Sequence, residues 1–333
     1  MTLTEMQNLV LHGYTQTLAV TSIGKPETKD LDGPNQIGSF SGGVSAAATG
    51  FSSIVLAQTW NKELAYSMGL AFGTECASYG IVGWYGPALN PHRSPFGGRN
   101  YEYYSEDALI GGTMASQVVQ GAKNKGVFCY LKHLCLYETE SGRDGMYTWL
   151  TEQSLREVYI KPFESVVKNG ATGIMTSYGR IGAVWTGGSK ALLTEVVRGE
   201  WGFQGAFLTD YSDHQNFMNG DQMVRAGGDL WMDGYQDNGK FQFETTSGTF
   251  QQALRNACKN IIYMWLNALA TNYDYNEGIK NGTIQDNITI PATPELNFRW
   301  YIPLLVAIDV IAVAGCALWI ILPTFKKDAE AEA

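Results

Sequence analysis

Gly205-Ala206-Phe207-Leu208-Thr209-Asp210 is a short apolar run that opens on glycine and closes on a carboxylate. Gly126-Val127-Phe128-Cys129-Tyr130-Leu131 is a second such run, and it closes on Lys132-His133. Short apolar runs between turn signals read as strands buried in a parallel sheet. In a barrel of alternating strands and helices, polar residues at the C-terminal strand ends line the active site, while those at the other end serve stability. A carboxylate on one strand end, with a cation and an imidazole on another, makes a polar cluster at one mouth. That is the outline expected of a site that cuts a glycosidic bond.

Outward from these two runs, residues 51–234 alternate between strand and helix patterns. Ile81–Tyr85 reads as a strand, Glu106–Lys123 as a helix with a small-residue face, and Ser154–Lys168 as a helix with Leu155, Val158, Tyr159, Phe163, Val166 and Val167 at helical spacing. Gly173–Ser177 reads as a strand ending at Tyr178. Leu192–Arg198 reads as a short helix and Gly228–Met232 as a last strand. Alternation of this kind predicts parallel pairing, either in an open doubly wound sheet or in a closed barrel. No G-x-G-x-x-G follows the first strand and no G-x-x-x-x-G-K-[ST] occurs, which disfavours nucleotide-binding folds. The expected fold is α/β, a (β/α)8 barrel over residues 1–240. An amphipathic helix over 241–271, with Phe250, Leu254, Ile261, Ile262 and Trp265 on its apolar side, packs on it. A polar linker follows over 272–299.

Composition narrows the function. The net charge of −9 argues against a nucleic-acid partner. Cys76, Cys129, Cys135, Cys258 and Cys316 are dispersed, without metal spacing, and read as free thiols. No metal and no cofactor are expected. Met1–Met6 lacks the basic and apolar regions of a signal peptide.

From Trp300 to Leu322 the chain is apolar except for Asp309, and Lys326-Lys327 follow. As a helix it would be about 35 Å long, enough to cross a bilayer with some tilt. Trp300, Tyr301 and Trp319 stand near its ends, where aromatic rings favour the interface, and the lysines favour a cytoplasmic tail over 323–333. Asp309 would cost about 2.5–3.5 kcal/mol, which the apolar remainder can offset. The segment is expected to be a single transmembrane helix at the cell membrane, with the barrel outside.

Several stretches, taken together, resemble glycoside hydrolase family three. They are Asp32-Gly33-Pro34, Tyr85-Gly86-Pro87-Ala88-Leu89-Asn90, the run from His92 to Asp107, Lys132-His133, Leu155-Arg156-Glu157-Val158-Tyr159 with Lys161-Pro162-Phe163, Met175-Thr176-Ser177-Tyr178, Glu200-Trp201-Gly202-Phe203-Gln204-Gly205 and Leu208-Thr209-Asp210-Tyr211. They stand in the family's order. The resemblance implies a β-glucosidase-like barrel that hydrolyses terminal β-linked sugars with retention of configuration. It implies that Asp210 is the nucleophile, and that Asp32, Arg99, Lys132, His133 and Tyr178, with Tyr211 beside them, bind the sugar. Retention needs an acid about 5–5.5 Å from that nucleophile, and arginine and lysine donors nearby are expected to keep Asp210 ionised.

The chain departs from the family at Gly38, where an arginine is common, at Leu134–Glu140, where an asparagine often follows Lys-His, and at Tyr211, often a tryptophan. It also ends without the α/β sandwich domain that supplies the acid in most members. The expected arrangement is the barrel half of a reversed-order, membrane-anchored member, its acid coming from a sandwich domain in cis or trans. Two other readings stay open: a catalytically incomplete barrel that binds sugar or a partner, and a structural surface protein.

Overall fold

The computed structural model describes residues 1–38, 49–212, 217–233 and 243–285, together with 303, 304, 306–316 and 318. The chain forms two compact units, Met1–Ile288 and Thr289–Ala333.

The first unit opens with α1 (Leu3–Leu11), started by a reciprocal cap between Thr2 and Glu5. Strands β1 (Gln16–Thr17) and β2 (Thr28–Asp32) follow. Next come α2 (Ser53–Gln58), α3 (Lys62–Ser78) and β3 (Ile81–Tyr85), then α4 (Ala108–Asn124) and β4 (Phe128–Leu134). A short α5 (Glu152–Ser154) runs through a π-helical stretch, Leu155–Tyr159, into α6 (Lys161–Lys168). Strand β5 (Gly173–Thr176) leads to the hairpin β6 (Arg180–Ile181) and β7 (Val184–Trp185). The π-helix Ala191–Glu200, β8 (Ala206–Leu208), α7 (Gly220–Ala226) and α8 (Gly248–Lys280) complete the unit.

The main sheet has the order β1-β2-β3-β4-β5-β8, parallel throughout except at the β1–β2 pair. Here the described residues correct the expected eight-stranded barrel, because the sheet holds six strands. One reason lies in residues 18–27, which join β1 to β2 and are too few for the helical crossover of about a dozen residues that parallel strands need. The chain therefore turns back on itself, with a bridge between Val20 and Lys25. A second reason lies in Gly228–Met232, expected as a strand, which contributes one parallel bridge between Leu230 and Leu208. This segment still passes the ring onward. Trp231 N–H donates to Val10 O (2.8 Å), Gly13 N–H donates to Trp231 O (2.8 Å), and Asp30 N–H donates to Thr15 O (2.8 Å).

Helices α3 and α4 pack with almost no side chain between them. A Cβ on Gly69 would lie 2.2 Å from Val118 O, and one on Gly121 would lie 2.5 Å from Leu70 N. The small-residue face expected on the α4 segment is thus what lets the two backbones touch. Gly205, at φ +140°, has no room for a side chain either, since its Cβ would lie 2.0 Å from Thr172 O.

Two carboxylates are buried beneath the mouth. Asp30 lies inside the ring, accepting from Thr28 Oγ1 (2.9 Å), and burial pushes its carboxyl up to about 7. Asp229 accepts from Phe207 N (2.6 Å), Arg198 Nη2 (2.6 Å) and Asn260 Nδ2 (2.9 Å), and burial pushes it up to about 6. This group joins β8, the π-helix and α8. It sits at the start of β8, the end opposite Asp210.

Helix α8 runs from Gly248 to Lys280, so it continues into the stretch read as linker. Ser247 caps it, and Phe250, Leu254, Ile261, Met264 and Ala268 form its buried face. In the second unit, the described residues 303, 304, 306–316 and 318 are helical, and Val306, Ile308, Val310, Ile311 and Val313 are exposed. Among the described residues, no helix is long and apolar enough to cross a membrane, so they lend the transmembrane expectation no support. That expectation also rests on Trp300, Tyr301, Trp319, Lys326 and Lys327, which lie outside the described residues.

Candidate active site

Parallel strands gather the expected site residues at one end of the sheet. Asp32 is the last residue of β2, Lys132 and His133 lie near the end of β4, Tyr178 follows β5, and Asp210 and Tyr211 follow β8. Arg99 comes from the connection between β3 and α4. Neighbouring residues of a regular strand point to opposite faces. Lys132 and His133 escape that rule because the β4–β5 register shifts between Leu131 and Leu134. Both side chains are buried, and both serve the same mouth.

Lys132 Nζ pairs with Asp32 Oδ1 at 2.5 Å. The Asp32 side chain is aimed by a tight turn, its Oδ1 accepting the Gly33 N–H at 2.7 Å. Gly33 is required there: φ is +132°, and a Cβ would lie 1.8 Å from Gln36 O. Burial opposes the charge on Asp32, but Lys132, the Gly33 N–H and Arg99 outweigh it, so its carboxyl lies below the ordinary value.

His133 Nε2 lies 4.0 Å from Asp210 Oδ2. Burial, then the charges of Arg99, Lys132 and Arg143, hold the imidazole well below its usual range, so it is neutral. Its main chain is fixed by Asn90, whose Oδ1 accepts His133 N–H (2.8 Å) and whose Nδ2 donates to His133 O (3.0 Å). Asp210 Oδ1 accepts the Tyr211 N–H at 2.7 Å. The Tyr178 hydroxyl and His133 stand beside the Asp210 carboxylate, but Oδ2 accepts no hydrogen bond of good geometry. Tyr178 donates instead to Tyr211 O at 2.6 Å, which ties the ends of β5 and β8 together. The Tyr211 ring rests near Tyr14, with centroids 5.2 Å apart.

The expectation that cations keep Asp210 ionised needs adjustment. Burial is the largest influence and pushes the carboxyl up to about 6, while Arg99, the Tyr211 N–H, Lys132 and Arg143 pull it back only in part. At pH 7 the group is still ionised by roughly ten to one. Its nucleophilic form should therefore appear as pH rises through about 6. The rate of covalent labelling by an activated 2-deoxy-2-fluoro glycoside should climb from pH 5 to 7 and level off above. A profile that is flat from pH 4 to 8 would contradict this assignment.

Four further residues join the site. Glu102 is fully buried and bonded to Arg99 Nε. Glu140 Oε2 pairs with Arg143 Nη1 at 2.7 Å and its Oε1 lies 3.8 Å from Arg99. The Arg143 guanidinium lies over the Tyr178 ring at 4.7 Å and donates to the Tyr137 hydroxyl. The Tyr137 ring meets His133 edge-on at 4.8 Å. Glu102 stands three residues after Arg99 and could have been noticed for that. Arg143 and Tyr137 carry no sequence signal. Asp213 and His214, which follow Asp210 in the sequence, lie outside the described residues.

Residues 38–236 match the family described as Glycosyl hydrolase family 3 N terminal domain. The chain belongs to glycosyl hydrolase family 3. It is 36% identical over 246 residues to a beta-glucosidase of Rhizobium radiobacter, covering 72% of this chain and 30% of that protein. It is 37% identical over 189 residues to a beta-glucosidase of Ruminococcus albus, covering 54% of this chain and 20% of that one. Beta-glucosidase 3B from Thermotoga neapolitana in complex with alpha-D-glucose superposes with a TM-score of 0.70 at 29% identity, over 85% of this chain and 44% of that one. This family 3 chain thus spans less than a third of these curated relatives and under half of that solved structure.

Proposed function

We propose that this chain is the nucleophile-bearing part of a retaining β-glucosidase that hydrolyses terminal β-linked sugars. The observation that carries the reading is Asp210 Oδ2, a buried carboxylate oxygen that accepts no hydrogen bond of good geometry, beside a neutral imidazole and within the field of Arg99 and Lys132. Oδ2 attacks the anomeric carbon, the bond to the leaving oxygen breaks, and that oxygen takes a proton from an acid. Water then attacks the anomeric carbon of the glycosyl-Asp210 ester, its proton returns to the group that acted as acid, and the Asp210 carboxylate leaves restored. Asp32, Arg99, Lys132 and His133 hold the sugar hydroxyls, and Tyr178 and Tyr211 wall the pocket. Neutral His133 serves as a hydrogen-bonding partner and carries no charge to the site.

The acid comes from an α/β sandwich domain, in cis or in trans. Within the described residues, Glu140 is held between two arginines, and Glu138, pushed up to about 7 by burial, is bonded to Asn90 at 3.3 Å. A second reading, a barrel that binds sugar without turnover, draws on the engagement of Glu138 and Glu140 and on Gly38. Dinitrophenyl β-glucoside separates the two, because its leaving group needs little protonation. A burst of about one equivalent of phenolate is expected on the first reading. Sugar binding with no burst would favour the second.

We also propose that residues 300–322 anchor the chain in the cell membrane with the barrel outside. What supports this reading is the apolar run of the sequence, followed by Lys326-Lys327. Protease treatment of intact cells should remove the barrel and spare the tail; a protected barrel would refute the orientation.

A further inference from the structure

The mouth holds more charge than the proposed reaction uses, and Glu102 is the clearest surplus. It is 0% exposed, and its Oε2 accepts no hydrogen bond. A buried carboxylate is costly unless it is paired. Glu102 is paired twice: Oε1 accepts from Arg99 Nε, and Oε2 lies 3.8 Å from Lys132 Nζ. It is thus the shared anion between the two cations of the sugar site. Without it, Lys132 would keep Asp32 as its close partner, and Arg99 would keep only the longer contact with Glu140 and the field of Asp32.

The chain holds Glu102 in that place from several sides. His92 Nε2 lies 3.0 Å from Asn100 O and 3.2 Å from Tyr103 O, bracketing the residue. The next side chain, Tyr103, donates to Tyr137 O at 3.1 Å. A guanidinium gripped at Nε keeps the donors of its far edge available, since its five N–H groups form a rigid fork. Arg99 Nη1 accordingly reaches toward Glu140, at 3.8 Å.

We propose that Glu102 is the positioning residue of the sugar site, setting the spacing of Arg99 and Lys132 so that both donate to one sugar ring. This rests on the β-glucosidase reading above. Glu102 touches no reacting atom; it acts through the two cations.

Glu102→Gln keeps the shape and an acceptor for Arg99 but removes the charge that Lys132 and Arg99 share. In the full-length chain, glucose affinity by calorimetry should fall about tenfold or more, the loss typical of one charge-assisted hydrogen bond. Inactivation by dinitrophenyl 2-deoxy-2-fluoro-β-glucoside should show a raised half-saturation concentration and one label per chain, as in the wild type. A merely structural defect would instead lower the labelled fraction and leave the half-saturation concentration unchanged. Glu102→Asp retains the charge one methylene back, so it should recover part of the affinity, and it carries the test if the glutamine variant does not fold. Wild-type glucose affinity in either variant would overturn the positioning role. Wild-type chain that neither binds glucose nor takes the label would instead bring down the glucosidase reading itself, and this inference with it.

Discussion

Replacing Asp210 by asparagine should abolish covalent labelling and lower turnover of an aryl β-glucoside by at least on the order of 10³-fold. The substitution keeps the shape and the acceptor for the Tyr211 N–H, so the link from β8 to its own loop survives. Among the described residues, it removes the only group at this mouth that combines burial, an oxygen free of good hydrogen bonds and a carboxyl near 6. Folding should not suffer, because a buried carboxylate with a raised pKa is itself a cost at neutral pH. Mass mapping of a tryptic digest would locate the label in the wild type. A label on Asp229 would contradict the assignment, and the structure gives a reason to expect none there: that carboxylate is taken up by Arg198, Phe207 and Asn260 at the far end of β8.

The purified chain should be nearly inactive on cellobiose and alkyl β-glucosides, and an added sandwich domain should raise those rates by about 10²–10⁴. General-acid help matters most for poor leaving groups, so the gain on a dinitrophenyl glucoside should be small. The ratio of the two gains is the diagnostic quantity. If the chain alone cleaves cellobiose at full rate, an acid lies within it, and Glu138 is the first to substitute. Its carboxyl near 7 has the right protonation state, although its hydrogen bond runs to Asn90. Glu140 is a poorer choice, since Arg99 and Arg143 both claim it.

The candidate site is legible in the sequence where a residue stands at a strand end within a long motif. Asp32, Lys132, His133, Tyr178 and Asp210 all meet that condition, and the described residues bring them to one mouth. Arg143 and Tyr137 do not, because only the fold carries their loop back over Tyr178. That Lys132 and His133 face the same side was also beyond periodicity, since an irregular register in β4 breaks the rule periodicity uses. Alternation of strand and helix predicted parallel pairing well but could not count strands. Whether residues 18–27 or 228–232 complete a strand depends on crossover length and on a single bridge. Gly69 and Gly73 of α3 carry no periodic signal for their role, which is the contact with α4.

The buried acids have a consequence beyond the chemistry of the mouth. Asp30, Glu138, Asp210 and Asp229 are each pushed up to between about 6 and 7. In the unfolded chain they would release their protons near pH 4. At pH 5 to 5.5, then, the chain takes up protons as it folds, with neutral His133 giving one back. Stability from these four groups declines as pH rises from about 4 toward 7, because the folded state holds protons that the unfolded state has shed. The heat of folding should accordingly depend on the ionisation heat of the buffer, and mildly acidic surroundings are where these four groups favour the folded chain.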